Sequence, residues 1–198
     1  MQYNDFEEMW NNAKLDNITN KAKTISKLES RSIFYYWKKY KPKIFLEFGT
    51  QLGCSMCIFI EIAKYLNINT QFHSWDIIDV IKYADKKEFN FHREDITGRE
   101  IEIFNKYKPD FLFLDCHVYS LTKSLINICL QRKINFMMHD ITDELYERCR
   151  KESNNFTNFN AYTTWEAFLA RQLEICNNNY NINYVKNRYG ICILEMKK

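Results

Sequence analysis

Between Lys43 and Met196, short apolar runs of strand length alternate with longer segments of helical period. No other feature constrains the fold as strongly. The run Lys43–Phe48 and the run Asp110–Asp115, which is Phe-Leu-Phe-Leu between two acids, are apolar without interruption. A strand with one wet face would alternate apolar and polar residues, so such runs belong to a parallel sheet covered on both faces. Similar readings give strands at Gln71–Asp76, Phe89–Arg93 and Ile134–His139. Between them, Gly53–Leu66, Ile101–Tyr107 and Tyr119–Gln131 carry apolar residues at helical spacing. Thr163–Cys176 is a further helix, with Trp165, Phe168, Leu169 and Leu173 on one side. Ile182–Lys186 and Ile191–Met196 flank Asn187–Gly190 as an antiparallel hairpin. The predicted fold is α/β: a Rossmann-like, doubly wound, mostly parallel seven-stranded sheet closed by that C-terminal hairpin.

Right-handed crossovers place the C-terminal ends of the parallel strands on one edge, where open α/β sheets bind their ligands. Functional side chains are therefore expected just after each strand. The chain's 198 residues suit one main domain. We expect it to span residues 43–198, preceded by a helical extension over residues 1–42. That extension reads as helix from residue 5 to residue 40, interrupted by polar residues around Asn17–Asn20 and stopped by Pro42. The polar, Asn-rich stretch Thr142–Asn160 reads as an extended loop or lid.

The net charge is only +3 and no Lys/Arg block stands out, so nucleic acid is not an expected partner. No apolar run approaches the roughly 20 residues of a membrane span. Met1–Leu15 is acidic and amphipathic rather than a signal peptide, which makes the cytoplasm the expected compartment. The seven cysteines are scattered, mostly within apolar runs, and fit reduced, buried thiols. Cys54-Ser-Met-Cys57 at a helix start has the spacing of a redox pair, but it falls where a helix packs on its sheet, and core filling is the preferred reading.

The first strand runs into Glu47-Phe-Gly49-Thr50-Gln-Leu-Gly53-Cys-Ser55. Gly49 and Gly53 let the backbone turn sharply and approach a ligand, and the helix beyond offers free N–H groups. The spacing G-x-x-x-G lacks the middle glycine of a pyrophosphate loop, and the preceding acid suits a ligand bearing an amino group. Asp76, ending the second strand, is placed to accept both ribose hydroxyls of an adenosyl ligand. Asp95, after the third strand, lies where an adenine would. Asp115-Cys116-His117 follows the fourth strand and His139-Asp140 the fifth. If these strands are neighbours, two carboxylates and an imidazole converge there. They could hold Mg²⁺ or Mn²⁺ on Asp115 and Asp140, or one histidine could act as a general base.

Taken together, these residues resemble the class I S-adenosylmethionine (SAM) methyltransferases, in particular the group related to sugar O-methyltransferases and cephalosporin-hydroxylase-like proteins. That group's first motif, E-x-G-x-x-x-G-x-S, is matched by Glu47, Gly49, Gly53 and Ser55. Its second acid corresponds to Asp76, and its fifth strand ends in H-D like His139-Asp140. Its fourth-strand motif, D-G-x-H-x-Y, is similar to Asp115-Cys-His117-Val-Tyr119, although here the loop is one residue shorter and Cys116 replaces the glycine. Trp165 and Tyr189-Gly190-Ile191 resemble the family's tryptophan-bearing helix and short ending.

The resemblance implies SAM bound at Glu47, Gly49, Thr50, Gly53, Ser55, Asp76, Asp95 and Asp115. It also implies O-methylation of a small, sugar-like acceptor in a cleft of Asp115, His117, His139 and Asp140. A homo-oligomer is compatible with this reading. Two alternatives remain open. One is a SAM-binding partner or sensor without turnover, toward which the altered fourth-strand loop weighs. The other is a metal-dependent hydroxylase, which would need iron and an oxidant and for which no His-x-Asp triad is evident.

Overall fold

The structure is a computed structural model that describes residues 2–22, 24–153, 165–176, 179–185 and 189–197. It begins with three helices, α1 (Gln2–Asn12), α2 (Asp16–Ala22) and α3 (Lys27–Tyr40). The expected interruption at Asn17–Asn20 lies inside α2; the chain turns instead just before it, where Lys14 takes a positive φ of 53°. Helix α3 starts with a reciprocal capping box between Ser26 and Glu29. It ends where Lys41, the residue before Pro42, adopts a left-handed conformation.

The alternating core follows as β1 (Ile44–Phe48), α4 (Cys54–Tyr65), β2 (Gln71–Asp76), β3 (Asn90–Arg93), α5 (Glu100–Tyr107), β4 (Phe111–Leu114), α6 (Tyr119–Arg132) and β5 (Asn135–His139). Then come α7 (Asp143–Ser153), α8 (Trp165–Cys176), β6 (Tyr180–Val185) and β7 (Ile191–Met196). The seven strands form one sheet in the order β3-β2-β1-β4-β5-β7-β6. Strands β1 to β5 pair in parallel, and β7 enters antiparallel to both β5 and β6. The predicted sheet and its closing hairpin are therefore present.

Thr142–Asn160 departs from expectation. Its described part is helical, because Asp143-Glu-Leu-Tyr-Glu-Arg-Cys-Arg-Lys is made mainly of good helix formers. Acids in its first turn and bases in its last complement the helix dipole. The remainder of that stretch, residues 154–160, lies outside the described residues, as do 186–188 of the hairpin connection.

Period-two alternation sends each strand's side chains to two cores. Leu46, Phe48, Leu112, Leu114, Phe136 and Met138 meet residues of α5, α6 and α8. On the opposite face Phe45, Phe111, Phe113 and Met137 meet α3 and α4, with Phe6, Met9 and Trp10 of α1 in the same cluster. Burying one such aromatic contributes about 2–3 kcal/mol, and Trp10, Trp37, Phe45 and Phe59 are all fully buried. Among the described residues no helix is long and apolar enough to cross a membrane.

Candidate active site

The strand order reverses between β1 and β4, and the crevice at such a switch point is where this architecture binds ligands. Gly49 turns the chain there with φ +99°, and its amide donates to the Trp75 carbonyl at 2.9 Å. Gly53 caps α4 with φ +77°, and a side chain in its place would meet Ile81 at 3.0 Å.

Beneath this loop lies Glu47, fully buried on β1. The hydroxyl of Ser55 on α4 donates to one of its oxygens, and that of Ser74, its register partner on β2, donates to the other. Burial lifts the Glu47 carboxyl to about 7, although both serine bonds oppose the shift. Thr50 reaches the same group through a hydrogen bond with Ser74. Glu47, Thr50 and Ser55 thus brace the loop from below.

Asp76 accepts the Gln51 amide at 2.8 Å and the Ile78 amide at 3.1 Å, tying the end of β2 to the glycine loop. Asp95 is exposed and accepts the Thr97 amide at 2.9 Å, a bond that holds its carboxyl below the usual range. Its neighbour Glu94 is engaged by the Trp75 indole and by Arg99.

On the other side of the switch point, Asp115, His117, His139 and Asp140 meet. His139 Nδ1 lies 3.3 Å from Asp115 and 3.2 Å from Asp140. His117 Nε2 lies 3.6 Å from Asp115 and 3.7 Å from Asp140. The His117 contacts are too long for hydrogen bonds and those of His139 are not aligned as such. Accordingly Asp115 Oδ1, Asp140 Oδ1 and both His139 nitrogens are buried without a hydrogen-bond partner among the described residues. His117 and Asp140 hold positive φ values of 58° and 59°, which aim both side chains into the cleft. The shortened loop with Cys116 therefore still delivers His117 to the cluster.

Sequence reasoning missed Glu166. It sits on α8 with no solvent exposure, accepts the His117 amide at 2.9 Å, and faces His117 Nδ1 at 3.3 Å. Thr122 on α6 donates to it at 3.4 Å. On α8 the sequence showed only the apolar side that packs on the sheet.

The electrostatics follow from this crowding. Burial opposes charge on His117, but the Glu166 bond and the charges of Asp115, Glu166 and Asp140 prevail and raise it to about 10. His139 is likewise raised to about 9 by Asp115 and Asp140 against its burial. Burial and the Asp115 charge push Asp140 up to about 6, against the two histidines. Asp115, His117 and Asp140 each offer one ligand atom, all within 4.8 Å of one another, and together with the unpartnered oxygens they fit a divalent cation. Cys54 and Cys57 are free, with thiols raised by burial to about 12 and about 11, which suits core filling rather than redox chemistry.

No protein-family model and no curated protein matches the chain. Solved structures do. A Staphylococcus aureus protein provisionally assigned as a caffeoyl-CoA O-methyltransferase superposes with a TM-score of 0.64 at 14% identity, covering 92% of this chain and 90% of its own. The SAH-bound (S-adenosylhomocysteine) methyltransferase PaMTH1 of Podospora anserina superposes at 0.59 with 15% identity, covering 98% and 88%. The fold is that of a class I methyltransferase. A third structure with this fold, the MycE methyltransferase of mycinamycin biosynthesis in complex with Mg, SAH and mycinamycin VI, superposes at 0.53 with 14% identity, covering 84% of this chain and 49% of that one.

Proposed function

We propose that this protein is a SAM-dependent methyltransferase that methylates a hydroxyl of a small, polar, sugar-like metabolite in the cytoplasm. One observation carries the reading: on a methyltransferase fold, Asp115, His117, His139 and Asp140 converge at the switch point beside the Gly49 turn. SAM lies along the Gly49–Gly53 loop with its ribose at Asp76 and its adenine toward Asp95, while Glu47, Thr50 and Ser55 hold the loop in shape. Asp115 bounds the methionine end, and the acceptor approaches across the Asp115/Asp140 cleft. Holding the acceptor oxygen in line with the methyl group supplies much of the acceleration.

The residues present fit a divalent cation, held by Asp115 and Asp140. Such a cation, when bound, supplies positive charge that favours ionisation of an acceptor hydroxyl. The Mg-containing MycE complex supports this reading. The alternative, a SAM-binding partner without turnover, rests on the shortened fourth-strand loop; the delivery of His117 to the cluster by that loop supports turnover instead.

The test is transfer of labelled methyl from SAM into a panel of hydroxylated acceptors, with and without Mg²⁺ or Mn²⁺. Labelled product from the wild type and none from Asp140→Asn is the expected result. Tight SAH binding with no product from any acceptor would favour the alternative.

A further inference from the structure

We infer that Glu166 is a positioning residue that makes His117 the third ligand of the cation site and tunes the site toward Mn²⁺ over Mg²⁺. The inference rests on the cation reading above and deepens it.

Glu166 is fully buried and faces both N–H groups of one residue, the His117 backbone amide at 2.9 Å and ring Nδ1 at 3.3 Å. A carboxylate only accepts, so Glu166 holds a proton on Nδ1, and a cation in the gap would take the place of the proton on Nε2. That atom faces the gap between Asp115 and Asp140, at distances too long for hydrogen bonds. A carboxylate behind the distal nitrogen is the arrangement that orients a metal-ligating histidine and raises its basicity. Close by, His139, with a side chain only 5% exposed, lies against both carboxylates and has no hydrogen-bond partner among the described residues. The gap is thus ringed by unpartnered polar groups.

One imidazole nitrogen among carboxylate oxygens changes cation preference. Mg²⁺ favours an all-oxygen shell and gives up water reluctantly. Mn²⁺ also suits oxygen ligands, but it opens the first-row series whose later members favour imidazole, and it binds one imidazole nitrogen better than Mg²⁺ does. Glu166→Gln retains the side chain's shape but leaves one oxygen to accept from two His117 N–H groups, so it loosens the ring without deleting it.

The test uses the full chain, with Mn²⁺ and Mg²⁺ each titrated by calorimetry and the Mn²⁺ complex examined by electron spin-echo spectroscopy. The wild type is expected to bind Mn²⁺ at least about tenfold tighter than Mg²⁺ and to show modulation from an imidazole nitrogen. Glu166→Gln is expected to weaken Mn²⁺ about 10- to 100-fold, affect Mg²⁺ much less, and leave SAH binding intact. A merely structural role would weaken both cations and SAH together. His117→Asn, which suits the left-handed backbone, is the second variant should Glu166→Gln not fold, and it is expected to abolish both the nitrogen modulation and the Mn²⁺ preference. Equal affinity for the two cations, or a preference unchanged in both variants, overturns the inference. SAH binding with no cation binding overturns it while sparing the methyltransferase reading. Mn²⁺ preference without SAH binding does the reverse.

Discussion

Gly49 and Asp115 touch through their backbones: a Cβ on Gly49 would stand 2.1 Å from the Asp115 carbonyl oxygen. The same close approach, beside the hydrogen bond from the Asp115 amide to the Phe48 carbonyl at 2.8 Å, joins the glycine loop after β1 to the acid after β4. Gly49→Ala must relieve that clash and also leave φ +99°, a conformation other L-residues rarely adopt. We expect a loss of about 3 kcal/mol or more in urea denaturation, with SAH binding abolished where the variant still folds. Unchanged stability would mean that the loop does not pack on β4 in this way.

Asp140 already occupies left-handed backbone, which asparagine tolerates, so Asp140→Asn removes the charge with little strain. Since burial and the Asp115 charge push the Asp140 carboxyl up to about 6, the neutral amide should not lower the melting temperature. Methyl transfer is expected to fall at least about 100-fold, with SAH affinity nearly unchanged. Parallel loss of SAH binding would move Asp140 from the acceptor side of the cleft to the cofactor side.

Glu47 gives a pH signature. Its folded value, about 7, is raised above the ordinary carboxylate value. The stability associated with the protonated acid is therefore fully present below about 4.5 and lost as pH rises through about 7. Glu47→Gln resembles the protonated acid and lacks this dependence. Between pH 5 and 8 the wild type should lose stability relative to the variant, by on the order of 3 kcal/mol in all. Parallel stability profiles for the two proteins would show that Glu47 is ionised without cost.

Much of this architecture is legible in the sequence because fully buried parallel strands leave an unbroken apolar signature, as in Phe111–Leu114. The strand-end rule places Gly49, Asp76, Asp115 and Asp140 at the C-terminal ends of β1, β2, β4 and β5, where the structure has them. Helix α7 escapes because its polar residues blend into the Asn-rich stretch that follows, although its Glu, Arg and Lys content is helical. Glu166 escapes for a different reason. A glutamate beside an apolar helical stripe reads as solvated, and only the left-handed turn at His117, which brings that residue's amide and ring to one carboxylate, shows why it is buried. Glu29 is the same case: fully buried, it caps α3 and accepts the distant Gly190 amide at 2.7 Å.

The N-terminal helices share the core of the sheet. Trp10 on α1 is fully buried, lies tilted against the Phe6 ring and donates its indole N–H to Asp16 at 2.9 Å. Trp10→Ala should cost about 3–5 kcal/mol in urea denaturation. A loss below about 1 kcal/mol would make residues 1–42 an appendage rather than part of the folded unit.

The most direct test of the central claim is calorimetric titration of the purified protein with S-adenosylhomocysteine, repeated on Asp76→Ala. The account predicts one site per chain in the wild type and at least about tenfold weaker binding in the variant, which loses the charged acceptor for the ribose and the clamp on the glycine loop. Absence of binding in the wild type would contradict the methyltransferase reading and leave only the fold.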